Sequence, residues 1–178
     1  MKRQILWIII SLSFILFSLH QISHATDLTL NNTPAQVYFS PKGGCTKAII
    51  SELDKAKSEI LVQAYSFASA PIAKVLLNAY KRGVKVEVIL DKSQRAERYT
   101  AATFLVHSGI PTYIDDMHAI AHNKIMIIDR DTVITGSFNF TKAAEDKNAE
   151  NLLIIKDGKL AKEYLHNWER HKGHSEKY

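Results

Sequence analysis

Apolar and polar positions follow three rhythms along this chain. Residues 5–19 form an apolar run interrupted only by Ser11, Ser13 and Ser18. From residue 36 to about residue 114, short apolar stretches alternate with segments of helical spacing. The pattern predicts a strand over 36–40, and a helix over 46–57 that carries Ala48, Ile49, Leu53 and Ala56 on one side. It next predicts a strand over 60–67, and a helix capped by Ser69 with Pro71 in its first turn and Gly83 after its end. Residues 84–90 are almost continuously apolar, as in a strand buried on both faces. A helix over 96–107 stopping at Gly109 and a short strand over 112–114 complete this part. Beyond it the pattern predicts strands over 120–128 and 132–135 joined by Asp129-Arg130-Asp131, and a strand over 152–155. An amphipathic helix over 160–171 then places Leu160, Tyr164, Leu165 and Trp168 on one face. Alternating strand–helix units followed by a hairpin imply an α/β fold with a mixed sheet and helices packed on it.

The N-terminal run has a different meaning. Lys2 and Arg3 precede it, and Ser23-His24-Ala25 follows as a small-x-small exit. A basic start, an apolar middle and a small-residue end read as a secretory signal peptide over residues 1–25. The alternative is an uncleaved membrane anchor, although the run is shorter than the ~18 apolar residues a spanning helix wants. Residues 26–178 then form a single domain, with export placing it in the periplasm and no lasting membrane association. Apolar residues make up 46% of the 178-residue chain, enough for a packed core and too many for a disordered protein. The formal charge is +5, and loss of residues 1–25 leaves +3. That mild basicity agrees with a polyanionic partner without requiring one. Cys45 is the only cysteine, so no disulfide forms within the chain, and nothing around it marks a catalytic thiol.

The chemistry concentrates in His122-Asn123-Lys124 through Asp129, followed by Gly136-Ser137-Phe138-Asn139. On a strand, side chains two apart share a face, so His122 and Lys124 can address one ligand together. Asp129 falls on the other face and at a turn, which gives it a structural role. If the next strand pairs with this one, Ser137 and Asn139 come near Lys124. An ammonium, a hydroxyl and an amide around an imidazole suit a phosphate: the first three bind oxyanions, and the histidine attacks phosphorus or moves protons. No cluster of carboxylates accompanies them, which argues against two-metal chemistry. His118 and His122 stand four apart, but the intervening Ala-Ile-Ala reads as a loop entering a strand, so no metal site and no cofactor is assigned there.

His-x-Lys-x4-Asp with a following Gly-Ser-x-Asn resembles the signature of the phospholipase D superfamily. The likeness extends to the short chain, the apolar leader and the single motif copy, which are similar to the family's small periplasmic endonucleases. The resemblance implies a single phospholipase D-like domain, a mixed sheet with helices on both faces, and metal-independent phosphodiester hydrolysis through a phosphohistidine. It also implies Gly136 as a structural motif position and an acidic residue shortly after the motif. Glu150 fits that place as the group orienting His122, while Glu145 and Asp146 read as parts of a polar loop. In-line displacement needs a nucleophile and an acid on opposite sides of phosphorus. One motif copy supplies one histidine, so the expected assembly is a homodimer with both motifs at one cleft. Lys92, Arg95, Arg98, Lys142 and Lys147 are candidates for contacts to nucleic-acid phosphates, without sequence specificity. The alternatives are a phospholipid phosphodiesterase and a non-catalytic nucleic-acid-binding dimer.

Overall fold

A computed structural model describes residues 25–97 and 100–178. The expected signal peptide, apart from Ala25, and Arg98 therefore lie outside the described residues. No helix among the described residues is long and apolar enough to cross a membrane.

The chain runs β1 (Ala35–Ser40), α1 (Cys45–Lys55), β2 (Glu59–Ala64), α2 (Ala70–Lys81), β3 (Lys85–Asp91), α3 (Ala102–His107), β4 (Thr112–Asp115), β5 (Lys124–Ile128), β6 (Thr132–Gly136), α4 (Lys142–Asp146), β7 (Glu150–Lys156), α5 (Gly158–His174) and β8 (Glu176–Lys177). The strands make one mixed sheet in the order β1-β7-β6-β5-β2-β3-β4-β8. The central β2, β3 and β4 are parallel, each joined to the next by a helical crossover. β5 turns back against β2, and β6 and β7 continue antiparallel from it to the edge strand β1.

Strand alternation sorts the core into two layers. Ile60, Val62, Val86, Val88, Met126 and Ile134 point toward α1, α2 and α3. Leu61, Ile89, Ile125, Ile127 and Val133 point toward α5, where they meet Ala161 and Trp168. Trp168 is 2% exposed and donates its indole N–H to the Val62 carbonyl at 3.0 Å, which fixes α5 across the sheet. The α/β sheet with helices on both faces therefore follows from the burial periods of the strands.

Three local expectations change. The helix expected over 96–107 begins at Ala102, and Lys92–Arg95 instead forms a single 3-10 turn. Asp91 caps that turn by accepting from Ser93 N–H, and its other oxygen accepts from Ala121 N–H. The second bond explains the next change: Ala121 N–H turns to a side chain rather than to a neighbouring strand, so β5 starts only at Lys124. The polar segment after the motif is not a loop throughout, because Thr141 caps the short helix α4 by accepting from Ala144 N–H.

Candidate active site

The register of the central strands assembles the site. Ala64, the last residue of β2, stands opposite Lys124, the first of β5, and Tyr65 N–H continues the pairing onto the Asn123 carbonyl at 2.8 Å. This brings Tyr65 against the motif: its ring centroid lies 4.5 Å from that of exposed His122, and the Lys124 ammonium sits 5.0 Å over its face. The β6–β7 register sets Gly136 opposite Leu152, so the chain leaving β6 passes the start of β7. Ser137 and Phe138 N–H both donate to the Asn151 carbonyl, at 3.1 and 3.2 Å. Gly136 has φ +147°, and a Cβ there would overlap that same carbonyl oxygen, so only glycine allows this approach. The motif residues thus collect where the parallel strands end, the usual binding end of such sheets.

Lys124 is 6% exposed and donates to the His122 carbonyl at 2.7 Å. Burial holds its ammonium below the ordinary lysine range, and the Glu150 carboxylate partly opposes that shift. The Ser137 hydroxyl donates to Glu150 at 2.6 Å and accepts from Asn151 N–H at 3.1 Å. Asn148 donates to the other Glu150 oxygen at 3.2 Å. Glu150, expected to orient His122, is thus engaged by Ser137 and Asn148 of its own chain. Asn139 Oδ1 is buried without a hydrogen-bond partner, an atom whose bonding capacity is unused. Asp129, at the β5–β6 turn with φ +53°, accepts from the backbone N–H groups of Lys57, Ser58 and Glu59 and from the Ser58 hydroxyl.

Beside His122 and Lys124 opens a groove of about 600 Å³ whose wall also includes Gly136, Glu163, Asn167 and Arg170 of the α5 side. Ser137 and Glu150 are not part of that wall.

The basic candidates separate. Lys92 donates to the His118 carbonyl at 2.9 Å, and Arg95 pairs with Glu176 at 3.0 Å. Lys142 and Lys147 are exposed on and just after α4. Glu145 is no loop charge: its carboxylate accepts from Gly44 and Thr46 N–H at 3.1 and 2.7 Å, capping α1 from 100 residues away in sequence. Cys45 is fully buried; that burial, followed by the Glu145 charge, pushes its thiol up to about 11. Tyr65 escaped sequence reasoning because nothing in its own neighbourhood signals a site. Only the β2–β5 register would have revealed it.

The family model described as "Cardiolipin synthase, PLD-like domain" matches residues 49–172. This chain belongs to the phospholipase D superfamily. It is a phosphodiesterase-class enzyme. Among solved structures, the phospholipase D family member Nuc from Salmonella typhimurium shares 40% identity, with a TM-score of 0.79 over 83% of this chain and 99% of its own. A protein named phospholipase D from Rickettsia conorii is 44% identical over 90% of this chain and 80% of that relative. A mitochondrial cardiolipin hydrolase from Xenopus laevis is 31% identical over 74% of this chain and 68% of its own length.

Proposed function

We propose that this superfamily member is an exported, sequence-nonspecific endonuclease that hydrolyses DNA phosphodiesters at a homodimer interface, with His122 as nucleophile. The observation that carries the reaction is the pairing of His122 with the buried Lys124 ammonium at the strand ends. An exposed imidazole can reach phosphorus, and a desolvated ammonium beside it stabilises the charge developing on the phosphoryl oxygens. The Ser137 hydroxyl and the Asn139 side-chain NH2 group, both donors, complete the phosphate-binding set.

His122 Nε2 attacks phosphorus in line, forming the N–P bond as the P–O bond to the leaving group breaks. The second chain's His122 donates a proton to the departing oxygen. That histidine then takes a proton from water, which attacks phosphorus and releases the first imidazole. Neither step needs a metal ion. Glu150 acts through Ser137, holding the hydroxyl in place. Two exposed apolar side chains, Met117 at 70% and Ile120 at 57%, stand on the segment leading into His122, and Phe39 at 65% lies beside the Ser40–Glu150 pair. Apolar groups around a polar site favour burial against a second copy. Cleavage of the segment before Thr26 releases the enzyme into the periplasm. Lys142 and Lys147 remain available for backbone phosphates; Lys92 and Arg95 are held within the chain.

A phospholipid phosphodiesterase is the second reading. It is favoured by the same exposed Met117 and Ile120, which could enter a lipid surface, and by the names of the Rickettsia and Xenopus relatives. Plasmid DNA and cardiolipin vesicles, each incubated with the protein in magnesium-free buffer with a chelator, separate the two. Loss of DNA supports the nuclease; turnover of lipid alone overturns it. His122→Ala is expected to reduce cleavage by at least about 10³-fold while the dimer persists in a sizing experiment. Substantial residual activity would remove His122 from the nucleophile's role.

A further inference from the structure

Away from the phosphate-binding residues, one carboxylate has gathered three histidines. Asp115, the last residue of β4, is completely buried. His118 Nδ1 lies 3.0 Å from its Oδ1, His171 Nδ1 lies 2.6 Å from its Oδ2, and His174 Nε2 lies 3.3 Å from its Oδ1. The imidazole centroids form a nearly equilateral triangle with sides of 4.8, 5.2 and 5.3 Å. One ligand atom from each of the four residues lies within 4.8 Å of every other. The ligands come from separate pieces of chain. His171 and His174 share a face of the last turn of α5 by their i, i+3 spacing, whereas His118 sits on the segment between β4 and β5.

Ordinary hydrogen bonding does not use this cluster fully. His174 Nε2 is buried and makes no hydrogen bond, although it is aimed at the carboxylate. The nearby cations are committed elsewhere: Lys172 pairs with Glu87 at 2.6 Å, and Lys92 binds the His118 backbone carbonyl. Three imidazole nitrogens and one carboxylate oxygen are a tetrahedral zinc donor set, and Zn–N and Zn–O bonds of about 2.0–2.2 Å would draw the imidazoles together and replace their present contacts to the carboxylate.

We propose that Asp115, His118, His171 and His174 form a structural zinc site that fastens the segment leading into His122 to the end of α5. With all four positions filled by protein, the ion has no open place for substrate. It is not a reactant, and a chelator that strips it would lower the melting temperature before it slowed phosphoryl transfer. In the sequence, His118 has only His122 as a histidine neighbour at short spacing. Its partners stand 53 and 56 residues further on, at a spacing that no local pattern marks.

The test uses the full chain purified without an oligohistidine tag. Metal analysis after equilibration with zinc is expected to give one ion per chain. Competition with a chromophoric chelator should show binding at least about 100-fold weaker in His171→Gln/His174→Gln. His122→Ala and the exposed His166→Gln should bind as wild type does. Zinc should raise the melting temperature of wild type and not of the double variant. If the double variant does not fold, cobalt(II) added to the wild-type chain decides, because a four-coordinate site gives strong visible d–d absorption. A wild-type chain that leaves zinc with the chelator, a double variant that binds as tightly as wild type, or cobalt lacking those bands overturns the proposal. None of these measurements reads cleavage, so their failure leaves the phosphodiesterase reading standing.

Discussion

Two single residues show how much the site depends on backbone detail. Gly136 stands where the chain leaving β6 presses on the Asn151 carbonyl, and Ser137 takes its position from that contact. Gly136→Ala is expected to cost about 1–3 kcal/mol and to lower activity more than its loss of stability explains, since Ser137 must move. Chemical denaturation and a rate measurement on the same preparation check both parts. Asp129 works on the fold instead. Burial alone would raise its pKa, but the N–H groups of Ser58 and Lys57, the Ser58 hydroxyl and Glu59 N–H outweigh it and hold the carboxyl below the usual range. A carboxylate depressed in the folded state gives its full stabilisation above its unfolded pKa of about 3.9 and loses it as pH falls through the folded value. Asp129→Asn should therefore lower stability by about 1–2 kcal/mol near neutrality. The gap from wild type should close as pH drops below about 4. Melting curves across that range read the effect directly.

At the scale of elements, the capping of α1 is the informative case. Gly44 precedes this helix in the left-handed region and offers no side chain, so the N-terminal amides turn to Glu145. A carboxylate there also suits the positive end of the helix dipole. Glu145→Ala is expected to cost about 1–2 kcal/mol, seen as a fall in melting temperature with little change in activity per folded molecule. The same case explains what could be read beforehand. The strands are legible because unbroken apolar runs such as Ile60-Leu61-Val62 record burial on two faces, and the motif is legible because its spacing is local. Glu145 looked like a solvated charge because its partners lie 100 residues earlier. The strand expected over 120–128 begins four residues later because Ala121 N–H bonds to the Asp91 side chain rather than to a strand. Tyr65 and the Asp115 cluster were hidden for the same reason. Register and crossover, rather than sequence neighbours, bring these residues together.

For the whole molecule, the deciding question is how many chains make one working centre. A single copy presents one His122 at the strand ends, and the exposed Met117, Ile120 and Phe39 lie around that end. If catalysis needs both histidines, mixing wild type with an equal amount of His122→Ala and allowing exchange leaves about one quarter of the wild-type activity per dimer, as random pairing requires. A residual of one half would show that each chain works alone. His122, Ser137 and Asn139 all stand on short connections just past the last rungs of the ladder, while the hydrophobic layers lie between the strands and the helices. Only the outward positions of those connections are free to change, because Phe138 and Phe140, on either side of Asn139, are fully buried in the core. A lineage built on this sheet can acquire a new cargo by changing single side chains at its rim, whereas reshaping the stretch around Phe138 and Phe140 would cost it stability.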